Sequence, residues 1–273
     1  MITYQIGCVR YLPKTWKFPA GEVGIAALPH SSPSKVDVVH VVASIQSSDE
    51  VMQLLMLTDA LKRQFFNAKI RLRIGYTPYG RQDRVCNEGE ALSISVFASL
   101  VNSQNYDQVL IVDPHSDVTT ALFNRAVVVK QDEVFREVFG DRYDFHATIV
   151  APDVGASKKA AIIGSLTQNP TIFASKQRNL ATGEIVGLSF SGDVQGKNVV
   201  VVDDIADGCA TFLNLGAQLK EAGVNTMILM VTHGIFSKGT KELTTLYDAI
   251  YTTNTYHQDR EGWIDGVHYT KLI

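Results

Sequence analysis

Short, almost unbroken apolar runs recur along the 273 residues, and they constrain the fold more than any other feature. The most extreme is "NVVVVDD", in which four valines, Val199 to Val202, run directly into two carboxylates. A sheet with one wet face alternates apolar and polar residues, whereas a run without alternation suits a strand buried on both faces. "VDVVHVVASI", "IRLRIG", "VLIVD", "AVVV", "ATIVA", "TIFAS" and "TMILMVTH" have the same β-rich character, and "MITYQIGCVRYLPKTW" at the N-terminus also reads as a strand. Helical patterns lie between most of these runs. In "SSDEVMQLLMLTDALKRQFFNA" an acidic first turn precedes Val51, Leu54, Leu55, Leu61 and Phe65, the spacing of one buried helix face. Residues 210–222 form a second helical pattern. Alternating strands and helices predict an α/β fold of parallel sheets with crossover helices.

The length suits one large α/β domain or two moderate ones. An internal echo bears on the choice. "VLIVDPHSDVTTALF" (Val109 to Phe123) and "VVVVDDIADGCATFL" (Val199 to Leu213) each run from apolar strand to acids, polar loop and a Thr-containing helix start. Duplication and chance explain this echo about equally well, since many α/β proteins repeat such units. Two tandem halves, joined near residues 135–147, are the organisation expected if it is a duplication.

With 45% hydrophobic residues the chain can bury substantial cores, which excludes disorder, and a net charge of −3 argues against a nucleic-acid-binding surface. Cys8, Cys86 and Cys209 are odd in number, far apart and outside any metal-finger spacing, so they read as free thiols in a reducing compartment. No run approaches the about 20 apolar residues of a membrane helix, and the first residues lack a signal pattern. A soluble, cytoplasmic protein is expected.

Open parallel sheets bind ligands beyond the carboxyl ends of their strands. Asp203 and Asp204 are read as lying at such an end, followed by Asp207-Gly208-Cys209-Ala210-Thr211 opening a helix. Backbone N–H groups at that helix start suit a phosphate, Thr211 adds a hydroxyl, and the acid pair suits neighbouring sugar hydroxyls. An acid pair that only caps the helix is the competing reading. In "GYTPYGRQDRVCNEGE", Arg81 and Arg84, with Gln82 and Asp83 between them, could clamp nucleotide phosphates, or could form a solvated loop with an internal Arg–Asp pair. "VDPHSD" offers Asp113, His115 and Asp117, and "APDVGASKKA" offers Asp153; a histidine and a carboxylate from different strands could hold a Mg²⁺ that keeps most of its waters. A lone strand-end histidine is also commonly structural, as histidines 30, 40, 146, 257 and 268 are read to be. "ASKQRNLATGEIVG" places Lys176 and Arg178 two apart in a polar stretch that reads either as a lid over a phosphate-transfer site or as an ordinary exposed basic loop.

Taken together and in this order, these segments resemble the ribose-phosphate diphosphokinases, the phosphoribosyl pyrophosphate synthetases. "PYGRQDR" is similar to the family's nucleotide loop, "VDPHSD" to its metal-histidine motif, "APDVG" to its second metal segment, "SKQR" to its catalytic flexible loop and "VVVDDIADGCAT" to its phosphoribosyl-phosphate loop. The likeness runs from "FPAGE" (Phe18 to Glu22) to "VTHGIFS" (Val231 to Ser237) and slightly beyond. It implies two tandem phosphoribosyltransferase-like domains, each a mainly parallel sheet flanked by helices. Residues 1–138 would carry the ATP-side motifs, and residues 139–273 the ribose 5-phosphate loop and the flexible loop. The implied reaction is Mg²⁺-dependent transfer of a diphosphoryl group from ATP to the 1-hydroxyl of ribose 5-phosphate.

Residue by residue, the resemblance implies Lys176, Arg178 and His115 as catalytic residues. ATP would be met by Phe18, Ala20, Glu22, Arg81, Gln82 and Asp83, the first three acting from a neighbouring subunit of a dimer-based homo-oligomer of up to six chains. Ribose 5-phosphate would be met by Arg178, Asp203, Asp204 and the loop Asp207, Gly208, Cys209, Ala210 and Thr211, and the metal by His115 and Asp153. Nucleic acid and membrane are not expected as partners. The chain also departs from the family. Its loop reads D-G-C-A-T where D-T-G-G-T is usual, Ala20 replaces a usual Asp or Asn, Val85 replaces a usual basic residue, and "HYTKLI" stops short of a final helix. A phosphoribosyltransferase would not need "GRQDR" or "DPHSD"; a catalytically silent, synthetase-associated subunit would be expected to lose the loop cations or metal ligands, which are all present here.

Overall fold

The computed structural model describes residues 1–140, 146–178, 185–258 and 264–273, with backbone alone described at 176–178 and 185–188. The chain divides into two compact units, residues 1–129 together with Ile273, and residues 130–272. The division falls ahead of the 138/139 boundary expected from the sequence. Helix α4 (Gln131–Phe139) goes with the second unit because it buries Val134 and Phe135 there and sets Phe139 at a tilt against Tyr251, ring centroids 5.1 Å apart.

The first unit contains β1 (Ile2–Ile6), β2 (Val9–Tyr11), β3 (Lys14–Lys17), β4 (Val23–Ala26), β5 (Val38–Ala43), α1 (Ser48–Gln64), β6 (Lys69–Ile74), α2 (Ser93–Ser103), β7 (Gln108–Val112), α3 (Asp117–Leu122) and β8 (Ala126–Val129). Its six-stranded sheet has the order β2-β1-β5-β6-β7-β8, parallel from β5 to β8. The N-terminal stretch expected as one strand is broken at Gly7, whose φ of 58° a side chain would resist, so β1 and β2 form a hairpin. Tyr4 and Tyr11 stack across it at 5.1 Å. Strands β3 and β4 make a separate two-stranded ribbon. Helix α1 begins at Ser47, which accepts from the Glu50 amide, and buries Val51, Leu54, Leu57 and Leu61. Leu55, expected on that face, is only half-buried because the face turns through Leu57.

The second unit adds β9 (Thr148–Ala151), α5 (Ser157–Thr167), β10 (Thr171–Arg178), β11 (Ile185–Phe190), β12 (Asn198–Ala206), α6 (Ala210–Glu221), β13 (Thr226–Gly234), α7 (Leu243–Leu246), β14 (Ala249–Thr253) and β15 (His268–Thr270). Its sheet order is β11-β10-β9-β12-β13-β14-β15, parallel throughout except at β11. All four valines of β12 have no exposed surface, as the unbroken apolar run requires, and each contributes roughly 1.5–3 kcal/mol of burial. The echo seen in the sequence corresponds to β7 followed by α3 and β12 followed by α6. Among the described residues no helix is long and apolar enough to cross a membrane.

Candidate functional site

In the second unit the chain passes from β9 outward to β10 and then returns to the other side of β9 as β12. Such a reversal opens a crevice beyond the carboxyl ends of the two strands that flank it. Asp153 follows β9 at this point, and Asp203 and Asp204 come from β12. The acids do not end the strand, as the sequence suggested. Strand β13, as long as β12, continues the ladder past them, pairing Ile205 with His233 and Ala206 with Gly234.

Consecutive strand residues face opposite ways, and the two acids differ accordingly. Asp204 is 6% exposed and accepts from the Lys159 ammonium at 3.4 Å. Asp203 is half-buried, and its Oδ1 accepts from the Asp204 amide at 2.8 Å. Burial, reinforced by the charges of Asp204 and Asp153, pushes the Asp203 carboxyl well above the usual carboxylate range. Asp153 is exposed, its Oδ1 accepting from the Ala156 amide at 3.1 Å. Gly155 leaves it room, since a β-carbon there would sit 3.1 Å from the same oxygen.

The loop that follows turns at an unexpected residue. Cys209, not Gly208, takes the left-handed conformation, with φ 61° and ψ 7°. This costs a non-glycine residue about 1–2 kcal/mol. The thiol offsets part of it, donating to the Asp207 carbonyl at 3.3 Å and packing at 7% exposure in the core with Phe212. Backbone bonds brace the loop from the segment after β13: the Ile235 and Phe236 amides donate to Ala206 O at 2.8 and 2.9 Å, and the Ser237 amide to Asp207 O at 3.1 Å. Helix α6 is seated by Gly216 against Tyr247, whose hydroxyl donates to Phe212 O at 2.8 Å. Cys209 gives no side-chain cap, so the first-turn amides at the exposed residues Ala210 and Thr211 keep the anion-binding character of a helix start.

Burial also pushes the Cys209 thiol up to about 11, while Cys8 and Cys86 are exposed. A thiolate-selective reagent at neutral pH is therefore expected to label Cys8 and Cys86 rapidly in the native protein and Cys209 only on unfolding. Peptide mapping checks this, and rapid native labelling of Cys209 would contradict the buried-thiol turn.

In the first unit the residues 77–84 and 113–117 meet after β6 and β7. A β-carbon on Gly80 would lie 3.7 Å from His115 Cβ. Arg81, Gln82 and His115 are exposed, whereas Asp83 is 7% exposed. Arg84 takes the Asp83 carboxylate in a forked contact, Nε at 2.8 Å and Nη2 at 3.3 Å, which holds that carboxyl below its ordinary range. The internal Arg–Asp pair considered from the sequence is thus present. It favours folding above the ordinary aspartate pKa and is lost as pH falls through the lowered one. Asp113 is 2% exposed with φ 37°, and Asp117 opens α3.

Phe18, Ala20 and Glu22 are all exposed in the tight turn between β3 and β4, closed by the Phe18 amide to Glu22 O at 2.8 Å. Trp16 meets Phe18 edge-on at 6.1 Å. Lys176 and Arg178, expected on a loop, have strand backbone: β10 leaves β9 after Phe173 and continues paired with β11, Lys176 opposite Leu188. Their side chains, and residues 179–184 of the expected lid, lie outside the described residues. His115 belongs to the first unit and Asp153 to the second.

Two cations escaped the sequence reading. Lys159 stands six residues after Asp153, in the first turn of α5, and its nearness to an acid segment was a usable signal. Lys238 has no local signal, because its contact with the loop is long-range.

Residues 146–263 match a family model described as the phosphoribosyl synthetase-associated domain. Ribose-phosphate pyrophosphokinase from Corynebacterium efficiens is 32% identical over 219 residues, covering 78% of this chain and 67% of the relative. The Pyrococcus furiosus protein of the same name is 32% identical over 243 residues, covering 88% and 84%. The crystal structure of phosphoribosylpyrophosphate synthetase from Mycobacterium smegmatis superposes with a TM-score of 0.79 over 95% of this chain and 86% of that one, at 24% identity, and shares the fold. With this fold, and with relatives of that identity and coverage, the chain belongs to the ribose-phosphate pyrophosphokinase family.

Proposed function

We propose that the protein transfers a diphosphoryl group from ATP to the 1-hydroxyl of ribose 5-phosphate, giving phosphoribosyl pyrophosphate and AMP. The observation that carries this reading is the acid pair and small-residue loop at the strand reversal, in a chain of this family. The first-turn amides of α6 and Thr211 would hold the 5-phosphate, and Asp203 and Asp204 would accept hydrogen bonds from the ribose hydroxyls. On this reading the second unit carries the ribose 5-phosphate loop and the first carries the ATP-side residues Arg81 and Gln82. Phe18, Ala20 and Glu22 would meet adenine from a neighbouring subunit of a homo-oligomer in the cytoplasm, with neither nucleic acid nor membrane as partner.

The residues fit a hard divalent cation. Asp153 adds to the charge that raises Asp203, so the crevice is rich in carboxylate oxygen. A Mg²⁺ bound there would keep most of its waters and take substrate oxygens. Asp153 and His115 would be its protein contacts, and the ion would supply neutralisation of triphosphate charge. Lys176 and Arg178 would offset the charge that develops on the transferring group, chemistry that depends on positioning and electrostatics.

Purified protein given MgATP and ribose 5-phosphate should release AMP and form phosphoribosyl pyrophosphate, read by chromatography of the products. The family model that matches is named for a synthetase-associated domain, which favours a silent regulatory subunit as the second reading. Nucleotide binding without turnover would select that reading and reject ours.

A further inference from the structure

The loop at 207–211 carries glycine at position 208, so that position offers an anion no side-chain donor. The space a side chain at 208 would enter is faced by a cation. A β-carbon built on Gly208 has Lys238 Cε as its nearest neighbour, at 3.9 Å. The position of Lys238 is set by backbone. Residues 235–237 are tied to the loop through Ala206 O and Asp207 O, and Gly239, with φ 77°, turns the chain back so that its amide bonds Phe236 O at 2.8 Å. Lys238 itself is exposed. No ion pair or hydrogen bond among the described residues engages its ammonium, although Asp207 lies in the loop beside it.

We infer that Lys238 is a phosphate-binding residue of this loop, an exposed cation that faces position 208, where the loop itself offers no side-chain donor. The inference rests on the ribose 5-phosphate reading of the loop and deepens it. Lysine binds phosphate as a point charge on a long stem, so it can serve an anion held mainly by the α6 amides without matching its shape. Gly208 is the complement of that arrangement. It has no left-handed φ to protect and leaves the stem room.

The test pairs two substitutions. Lys238→Met should weaken ribose 5-phosphate binding, measured by calorimetry, about tenfold and raise KM by a similar factor, with most of kcat kept and the unfolding temperature unchanged. Lys238→Arg should retain most of the affinity. Gly208→Thr supplies a hydroxyl donor at a spacing of ordinary contact, and in the Lys238→Met background it should recover at least about threefold of the lost affinity. Ribose 5-phosphate affinity within about twofold of wild type in Lys238→Met, or no recovery on adding Gly208→Thr, would overturn the inference while leaving the proposed function intact. Wild-type protein that neither binds nor turns over ribose 5-phosphate would instead overturn the function.

Discussion

Asp203→Asn is expected to unfold at a higher temperature than wild type while losing at least about a hundredfold in kcat/KM. The stability half follows from the company the carboxyl keeps. Asp203 is half-buried, with the charges of Asp204 and Asp153 close by, and Lys159 pairs with Asp204. An amide of the same shape removes the like-charge repulsion and keeps the oxygen that accepts from the Asp204 amide. The gain is on the order of 1–2 kcal/mol near neutral pH, or several degrees in unfolding temperature. It carries a pH signature. A carboxyl whose folded pKa is raised binds its proton more tightly in the native state than in the unfolded one. Its destabilising effect is therefore absent below the ordinary aspartate range and complete only above the raised value. Thermal melts over a pH series should show the variant and wild type converging in acid and separating as pH rises. A gap that ignores pH, or a variant less stable than wild type, would refute the electrostatic account. The activity half follows from the ribose reading. A hydroxyl whose acceptor becomes an amide loses a charge-assisted bond, and the site loses charge where a divalent cation is proposed.

Lys176→Ala should act on the other side of the balance, with no change in unfolding temperature and kcat lower by about 10²–10³. Strand β10 belongs to the parallel sheet only through Phe173. From Ala174 onward its partner is β11, so Lys176 sits on an antiparallel ribbon at the sheet's edge, away from the valine core of β12. A cation aimed at charge that develops during phosphoryl transfer is worth about 3–4 kcal/mol of barrier, comparable to one oxyanion donor. The loss should appear equally in kcat and kcat/KM, as for an interaction made in the transition state. Single-turnover product formation measures it, and an unaltered rate would remove Lys176 from the mechanism.

The parallel strands at the centre of the second sheet were legible because burial on two faces forces an unbroken apolar run, and the runs at Asn198–Asp204 and Thr226–His233 fall on β12 and β13. The β1–β2 hairpin was not, since a single glycine at position 7 decides it within a stretch that is otherwise strand-like. Nor was the strand character of Lys176 and Arg178. Their pairing partner β11 lies across an intervening segment, so no local pattern announces the pairing.

Local chemistry was enough to nominate Asp203, Asp204 and the loop from Asp207 to Thr211, because acids and small residues after a buried strand leave few physical options. What the sequence by itself determined is therefore the class of fold, the buried parallel strands at the centre of its sheets and the segments proposed to carry the chemistry. The tertiary structure alone decided that the strand order reverses between β9 and β12, which brings Asp153 toward the acid pair. It also decided that β12 runs on to Ala206, that Lys159 chooses Asp204, that Cys209 bears the left-handed turn, and that Lys238 faces Gly208. Each of these depends on neighbours distant in sequence. Strand order, ladder length and side-chain partners are set by how elements pack, and no local pattern encodes that packing.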